Sequence, residues 1–179
     1  MSTTPKWTLT APGVLKQTSP DVAVNDDDIT AVSHAQSQAP LRRARLCVHL
    51  NDDVQLQQMI ISLNGDSYIR PHKHSAKPES YQMIRGKAAL VLFDDCGTIT
   101  KTVHLAPYGE GGNFFFRLSS EVYHSLVLLS PEVVFCETTL GPFHRDTTHF
   151  APWAPEPNTP DCTAYMRAMK DFVTDKLRI

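Results

Sequence analysis

The sequence predicts a mainly β fold: an antiparallel sandwich or barrel with short N-terminal helices and one C-terminal helix. Three observations carry this. From residue 67 the chain runs in apolar-rich segments of about eight residues, each bounded by Pro, Gly, Asp or Ser. Helical spacing of apolar residues occurs only before that point and again at the C-terminus. The composition, 41% hydrophobic and 20% charged over 179 residues, is that of a globular domain able to bury its own core.

Taken in order, residues 1–24 are polar and rich in Thr and Pro, and read as a flexible arm or a strand that docks on a neighbour. "NDDDITAVSHAQSQAP" follows as a short helix, capped by Asn25 or Asp26 and stopped before Pro40, with acidic residues 26 to 28 at the positive end of its dipole. "LRRARLCVHL" is a strand. "DDVQLQQMIISLNG" reads as a second short helix, with Leu56, Met59, Ile60 and Leu63 on one stripe and Asn64-Gly65 as its stop.

Seven strands then follow: "SYIRPHKH", "ESYQMIRG", "KAALVLFDD", "TITKTVHL", "NFFFRLSS", "VYHSLVLLS" and "EVVFCETTL". The third and fourth form a hairpin with Gly97 at its tight position. The β domain thus spans 25–149, helices included. Residues 150–179 supply a proline-studded segment, "FAPWAPEPNTP", and a helix. Thr159 is its N-cap, Pro160 stands in its first turn, and Tyr165, Met166, Met169, Phe172 and Val173 form its packing stripe.

Several function classes are excluded. Net charge is −2, from 17 basic and 19 acidic residues with no basic stripe, which speaks against nucleic acid. No apolar run approaches the ~20 residues of a membrane helix, and the N-terminus lacks the pattern of a secretion signal. Cys47, Cys96, Cys136 and Cys162 are far apart and form no C-x-x-C pair, as expected for reduced thiols in a cytoplasmic protein.

The chemistry concentrates in "PHKHSAKPESYQMIRG". His72 and His74 are two positions apart, so on a strand they share a face and can lean onto one metal ion. Glu79 opens the next strand. A distant histidine, His124, shares its strand face with Val122, Leu126 and Leu128, an otherwise apolar face pointing inward. An unpaired imidazole there would cost on the order of 1–3 kcal/mol, and a metal held by the other three residues would be its partner. Such a set suits one divalent Fe, Mn, Ni, Co or Zn ion per chain. Tyr81 and Met83 share the face of Glu79 and are expected to line the cavity, Tyr81 as a proton or hydrogen-bond donor and Met83 as substrate wall. Arg70 has the parity of His72 and His74 and is a candidate for an anionic group such as a sugar phosphate. Trp153 and Phe150 offer an apolar lip. Glu137 and His49 are candidates to orient the ligands from behind.

The run H-x-H-x4-E-x6-G resembles the first signature of the cupin superfamily, and the strand carrying His124 resembles its second. More closely, "SYIRPHKH", "LVLFDDCGT", "GPF" and "FAPWAPEP" resemble the small WbuC-type cupin metalloproteins, encoded among bacterial O-antigen sugar genes, over residues 25 to 157. The sequence departs from the cupin pattern at Ser119, Glu121 and Leu128, and six residues rather than five separate Gly65 from His72. The resemblance implies a double-stranded β-helix (jelly-roll) barrel, a metal site of three histidines and one glutamate, and a homodimer. It implies a small-molecule ligand, a sugar or sugar phosphate of surface-polysaccharide biosynthesis, without naming a reaction. Three readings follow: a sugar isomerase, epimerase or dehydratase; an Fe(II)-dependent oxygenase; and a non-catalytic binding module.

Overall fold

The computed structural model describes residues 5–119 and 121–178. A hairpin of β1 (Trp7–Ala11) and β2 (Val14–Gln17) precedes α1 (Asp26–Gln38), β3 (Arg43–Cys47) and β4 (Leu56–Asn64). The chain then forms β5 (His72–His74), β6 (Glu79–Arg85), β7 (Ala88–Phe93), β8 (Ile99–Leu105), β9 (Phe115–Leu118), β10 (Tyr123–Leu128) and β11 (Glu132–Leu140). A short β12 (Thr148–Phe150) and α2 (Pro160–Leu177) close it.

Two sheets result, a large one in the order β1-β2-β3-β4-β11-β6-β9 and a small one in the order β12-β5-β10-β7-β8. Their inner quartets, β4-β11-β6-β9 and β5-β10-β7-β8, are the two halves of a jelly roll built from Greek keys. The fold is therefore the double-stranded β-helix, as two facing sheets with no continuous ladder closing them. Its interior is filled by Leu63, Met83, Leu90, Leu105, Leu128, Val133 and Phe135.

Both outer faces are covered in part. On the large sheet, Ile29 and Val32 of α1 pack on Ala44, Leu46, Ile60 and Val134. On the small sheet, Met169 and Val173 of α2, with Trp153, pack on Val91, Phe93, Tyr123 and Val127. This is why β7 and β10 are buried at every position and read as continuous apolar runs. The α2 stripe is Cys162, Met169 and Val173 with Tyr165 and Leu177 beside it, whereas Phe172 is exposed. The α1 cap is a reciprocal box: Asn25 accepts from the Asp28 N–H and the Asp28 carboxylate accepts from the Asn25 N–H.

Three expectations need correction. Residues 56–64 are a strand, not a second helix. Ile61 and Leu63 point into the jelly roll while Ile60 points under α1, and two-sided burial put apolar residues at both parities. Only His72–His74 of "SYIRPHKH" is strand. Residues 7–17 of the expected arm form β1 and β2 on this chain's own β3; residues 1–4 lie outside the described residues.

Two glycines are required by the turns. Gly86, at φ +74°, joins β6 to β7, and a Cβ there would stand 2.1 Å from the Glu132 carbonyl oxygen. Gly97, at φ +90°, closes the β7–β8 hairpin with the Trp153 ring against it.

Candidate metal centre

Alternation on three inner strands brings the site together. His72 and His74 project inward from β5, His124 from β10, where it pairs directly with His72, and Glu79 from β6. The ring centroids of His72 and His124 are 4.5 Å apart, those of His72 and His74 5.0 Å, and those of His74 and His124 5.9 Å. One nitrogen from each of the three rings lies within 4.8 Å of the others, within reach of a single ion. Glu79 closes the fourth side, with Oε1 3.0 Å from His74 Nε2 and Oε2 3.1 Å from His124 Nε2.

The second nitrogen of each ring decides what the first can do. His72 Nδ1 donates to the Arg70 carbonyl at 2.8 Å, and His124 Nδ1 donates to the Val122 carbonyl at 3.0 Å. A carbonyl only accepts, so the single proton of each neutral ring sits on Nδ1 and Nε2 keeps its lone pair. His124 Nε2 is buried and makes no hydrogen bond, although a carboxylate oxygen stands 3.1 Å away. Two lone pairs facing each other in a buried site need a cation between them. The donor set fits a divalent transition metal for this reason.

Electrostatics agree. Burial, reinforced by His124, holds His72 down to about 4, so it is neutral at physiological pH. Burial pushes the Glu79 carboxyl up, but positive charge on its His124 and His74 side, whether protons on those rings or a bound cation, outweighs it and holds it well below the usual carboxylate range. Both are the forms that bind a metal. Tyr81 is fully buried, held far above its ordinary value by burial and by the Glu79 charge, and its hydroxyl donates to Glu79 Oε2 at 2.8 Å. It therefore holds the carboxylate in place.

The other expected residues divide. Met83 is 5% exposed and belongs to the core below the site. Glu137 pairs with Tyr81 across β6 and faces the same interior. Burial, then the Glu79 charge, pushes its carboxyl up to about 8. No hydrogen bond joins it to an imidazole among the described residues; it is half-buried. His49 is bound through Nδ1 to the Gln58 backbone, and among the described residues it makes no hydrogen bond to any of the four. Arg70 is spent on the tail, with Nη1 2.6 Å from Glu156 Oε1 and Nη2 donating to the Ala151 carbonyl at 3.3 Å. Trp153 is no lip: it stacks on Phe93 and Tyr123 outside the small sheet. Phe150 does lie beside the His72 ring, at 6.1 Å between centroids.

Two residues escaped sequence reading. Thr148 Oγ1 lies 3.0 Å from His74 Nδ1, although 74 residues separate them. Glu121, one of the departures from the cupin pattern, accepts from the Ala76 N–H at 2.5 Å and so pins the turn between His74 and Glu79. No sequence spacing signals either contact.

Comparison with known proteins finds one partial match to a family model. A domain of unknown function (DUF6016) matches residues 24–105, less than half the chain; it takes in His72, His74 and Glu79 but not His124. No curated protein matches. Among solved structures, an uncharacterized double-stranded β-helix protein from Klebsiella pneumoniae is similar at 14% identity and TM-score 0.46, covering 61% of this chain and 84% of that one. A cupin superfamily protein from Desulfitobacterium hafniense is similar at 12% identity and TM-score 0.43, covering 55% and 76%. KdgF from Halomonas sp. is similar at 18% identity and TM-score 0.45, covering 60% and 85%. Likeness this low says nothing about chemistry, and the fold rests on the strand order above.

Proposed function

We propose that this chain is a cupin metalloprotein that holds one divalent transition metal with His72, His74, His124 and Glu79 and acts on a neutral, hydroxyl-rich small molecule of the sugar type. The observation that carries the metal is the buried Nε2 of His124, without a hydrogen bond and facing a carboxylate. When bound, the metal supplies Lewis acidity toward a carbonyl or hydroxyl oxygen.

The chain's own residues favour isomerisation or epimerisation. Such chemistry moves a proton beside a carbonyl and needs a group able to take and return it near pH 7. Glu137, on the inner face beside Tyr81 and raised above the ordinary carboxylate range chiefly by burial, is that group. Tyr81 keeps Glu79 facing His74 and His124 and leaves Glu137 free for the ligand. With Arg70 committed to Glu156, the sugar-phosphate reading loses its cation, which favours an uncharged ligand. The resemblance to WbuC-type proteins extends the reading to sugars of surface polysaccharides.

The test is metal content by inductively coupled plasma mass spectrometry on the parent and His124→Ala, after reconstitution with Mn, Fe, Co, Ni or Zn. Near-stoichiometric metal in the parent and its loss in the variant are expected. Metal retained by His124→Ala, or no metal in the parent, overturns the site. For the reaction, the loaded protein is incubated with neutral aldoses and ketoses in D2O. Deuterium at the carbon next to the carbonyl is expected with the parent and not with Glu137→Gln; oxygen uptake by the Fe form without exchange would overturn the isomerase reading.

A further inference from the structure

The three histidines are not held alike. His72 and His124 give their Nδ1 protons to backbone carbonyls, which admit one tautomer only. His74 instead meets a hydroxyl, Thr148 Oγ1, at 3.0 Å. A hydroxyl can donate or accept. Thr148 therefore tolerates both tautomers of His74, and the two correspond to two states of the site. With the proton on Nε2, His74 donates toward Glu79 Oε1, 3.0 Å away, and Nδ1 accepts from the Thr148 hydroxyl. With the proton on Nδ1, the hydroxyl accepts and Nε2 presents its lone pair to a metal. One proton moves between the nitrogens through solvent, and the charge of the ring does not change.

Thr148 belongs to a strap built from the residues before α2. Thr148 pairs with His74 and Phe150 with His72 along β12. The Ala151 N–H donates to the Pro71 carbonyl at 2.9 Å, and the Tyr68 hydroxyl donates to the Pro155 carbonyl at 3.1 Å. Arg70 reaches both Ala151 and Glu156. On its other side, among the described residues, β5 pairs with β10 at His72 and His124 alone. The ligand strand is thus held chiefly by the strap.

We infer that Thr148 is a positioning residue for the metal centre, switching His74 between a Glu79-bonded and a metal-binding tautomer, and that the strap of residues 147–157 is coupled to metal occupancy. The inference rests on the metal-binding reading above. Coupling is reciprocal: a contact that tightens metal binding is itself tightened by the metal, to the same factor.

The experiment uses zinc alone, with full-length parent, Thr148→Val and Thr148→Ser. Zinc affinity is read by competition with a chelator, histidine tautomers by 15N NMR, and strap protection by hydrogen–deuterium exchange of peptides within 147–157. The parent is expected to show His74 as the Nε2–H tautomer without zinc and as Nδ1–H with it, while His72 and His124 stay Nδ1–H throughout. Exchange in the strap is expected to slow when zinc binds. Thr148→Val should bind zinc roughly 10–100-fold more weakly and lose the protection, and Thr148→Ser should restore both. A thermal melt of each zinc-free variant separates misfolding from the effect on the site. If the parent binds no zinc, the metal reading itself has failed. If the parent binds zinc but Thr148→Val binds it equally well, or His74 keeps one tautomer, the present inference is overturned.

Discussion

The two ends of the jelly roll are made from the same strands and do opposite things. At one end the inward positions of β10, β6 and β11 are His124, Glu79, Tyr81 and Glu137; toward the other they are Leu126, Leu128, Met83, Phe135 and Val133. Alternation alone sends all of these residues inward. Position along the strand decides whether the inward residue meets a partner that needs a cation or another hydrocarbon. The apolar end is tolerant of chemistry and strict about volume. The polar end is strict about proton positions. The difference teaches that stability and function can be perturbed separately here.

The sharpest break in that comparison is Leu90→Ala at the apolar end, where the side chain is fully buried. It is expected to cost about 3 kcal/mol in urea unfolding while metal content per folded molecule stays unchanged. Loss of metal in the folded variant would show that the two ends are one unit.

Glu137→Gln probes the polar end in the opposite direction. The folded protein keeps the Glu137 proton up to about 8, against an ordinary value of 4.5. Between those values the unfolded chain has released the proton and the native state has not, so raising pH favours unfolding. The variant removes this penalty and, in the metal-free protein, should be more stable than the parent at pH 8 by on the order of 4 kcal/mol, with little difference at pH 4.5. Equal unfolding midpoints at both pH values would mean that Glu137 ionises normally.

Tyr81→Phe lies on the boundary, buried like a core residue but bonded to Glu79. Deleting the hydroxyl should lower stability by about 1 kcal/mol and weaken metal binding by about tenfold, read by chelator competition. A stability loss with unchanged affinity would place Tyr81 with the core.

Legibility followed the range of the interactions. His72, His74 and Glu79 lie within eight residues, and His124 stood out as one imidazole on an apolar strand face, so all four were readable and the structure brings them together. Residues 56–64 were misread because burial on both faces erased the period of two. Arg70 and Trp153 were assigned to the cavity by parity or composition, but their partners, Glu156 for the one and Phe93 and Tyr123 for the other, are set by where the tail docks.

By itself the sequence determined the mainly β class, a cap for the first helix at Asn25 or its neighbour, the cap at Thr159, the turn at Gly97, and which residues were candidates for the chemistry. These are local matters of dihedral preference and alternation, which neighbouring residues settle. Only the tertiary structure decided which tautomer each histidine adopts, that Glu121 pins the turn beside Glu79, and that Thr148 stands behind His74. Those contacts join residues far apart in the chain, and a hydrogen bond depends on ångström-scale placement that no spacing along the sequence records.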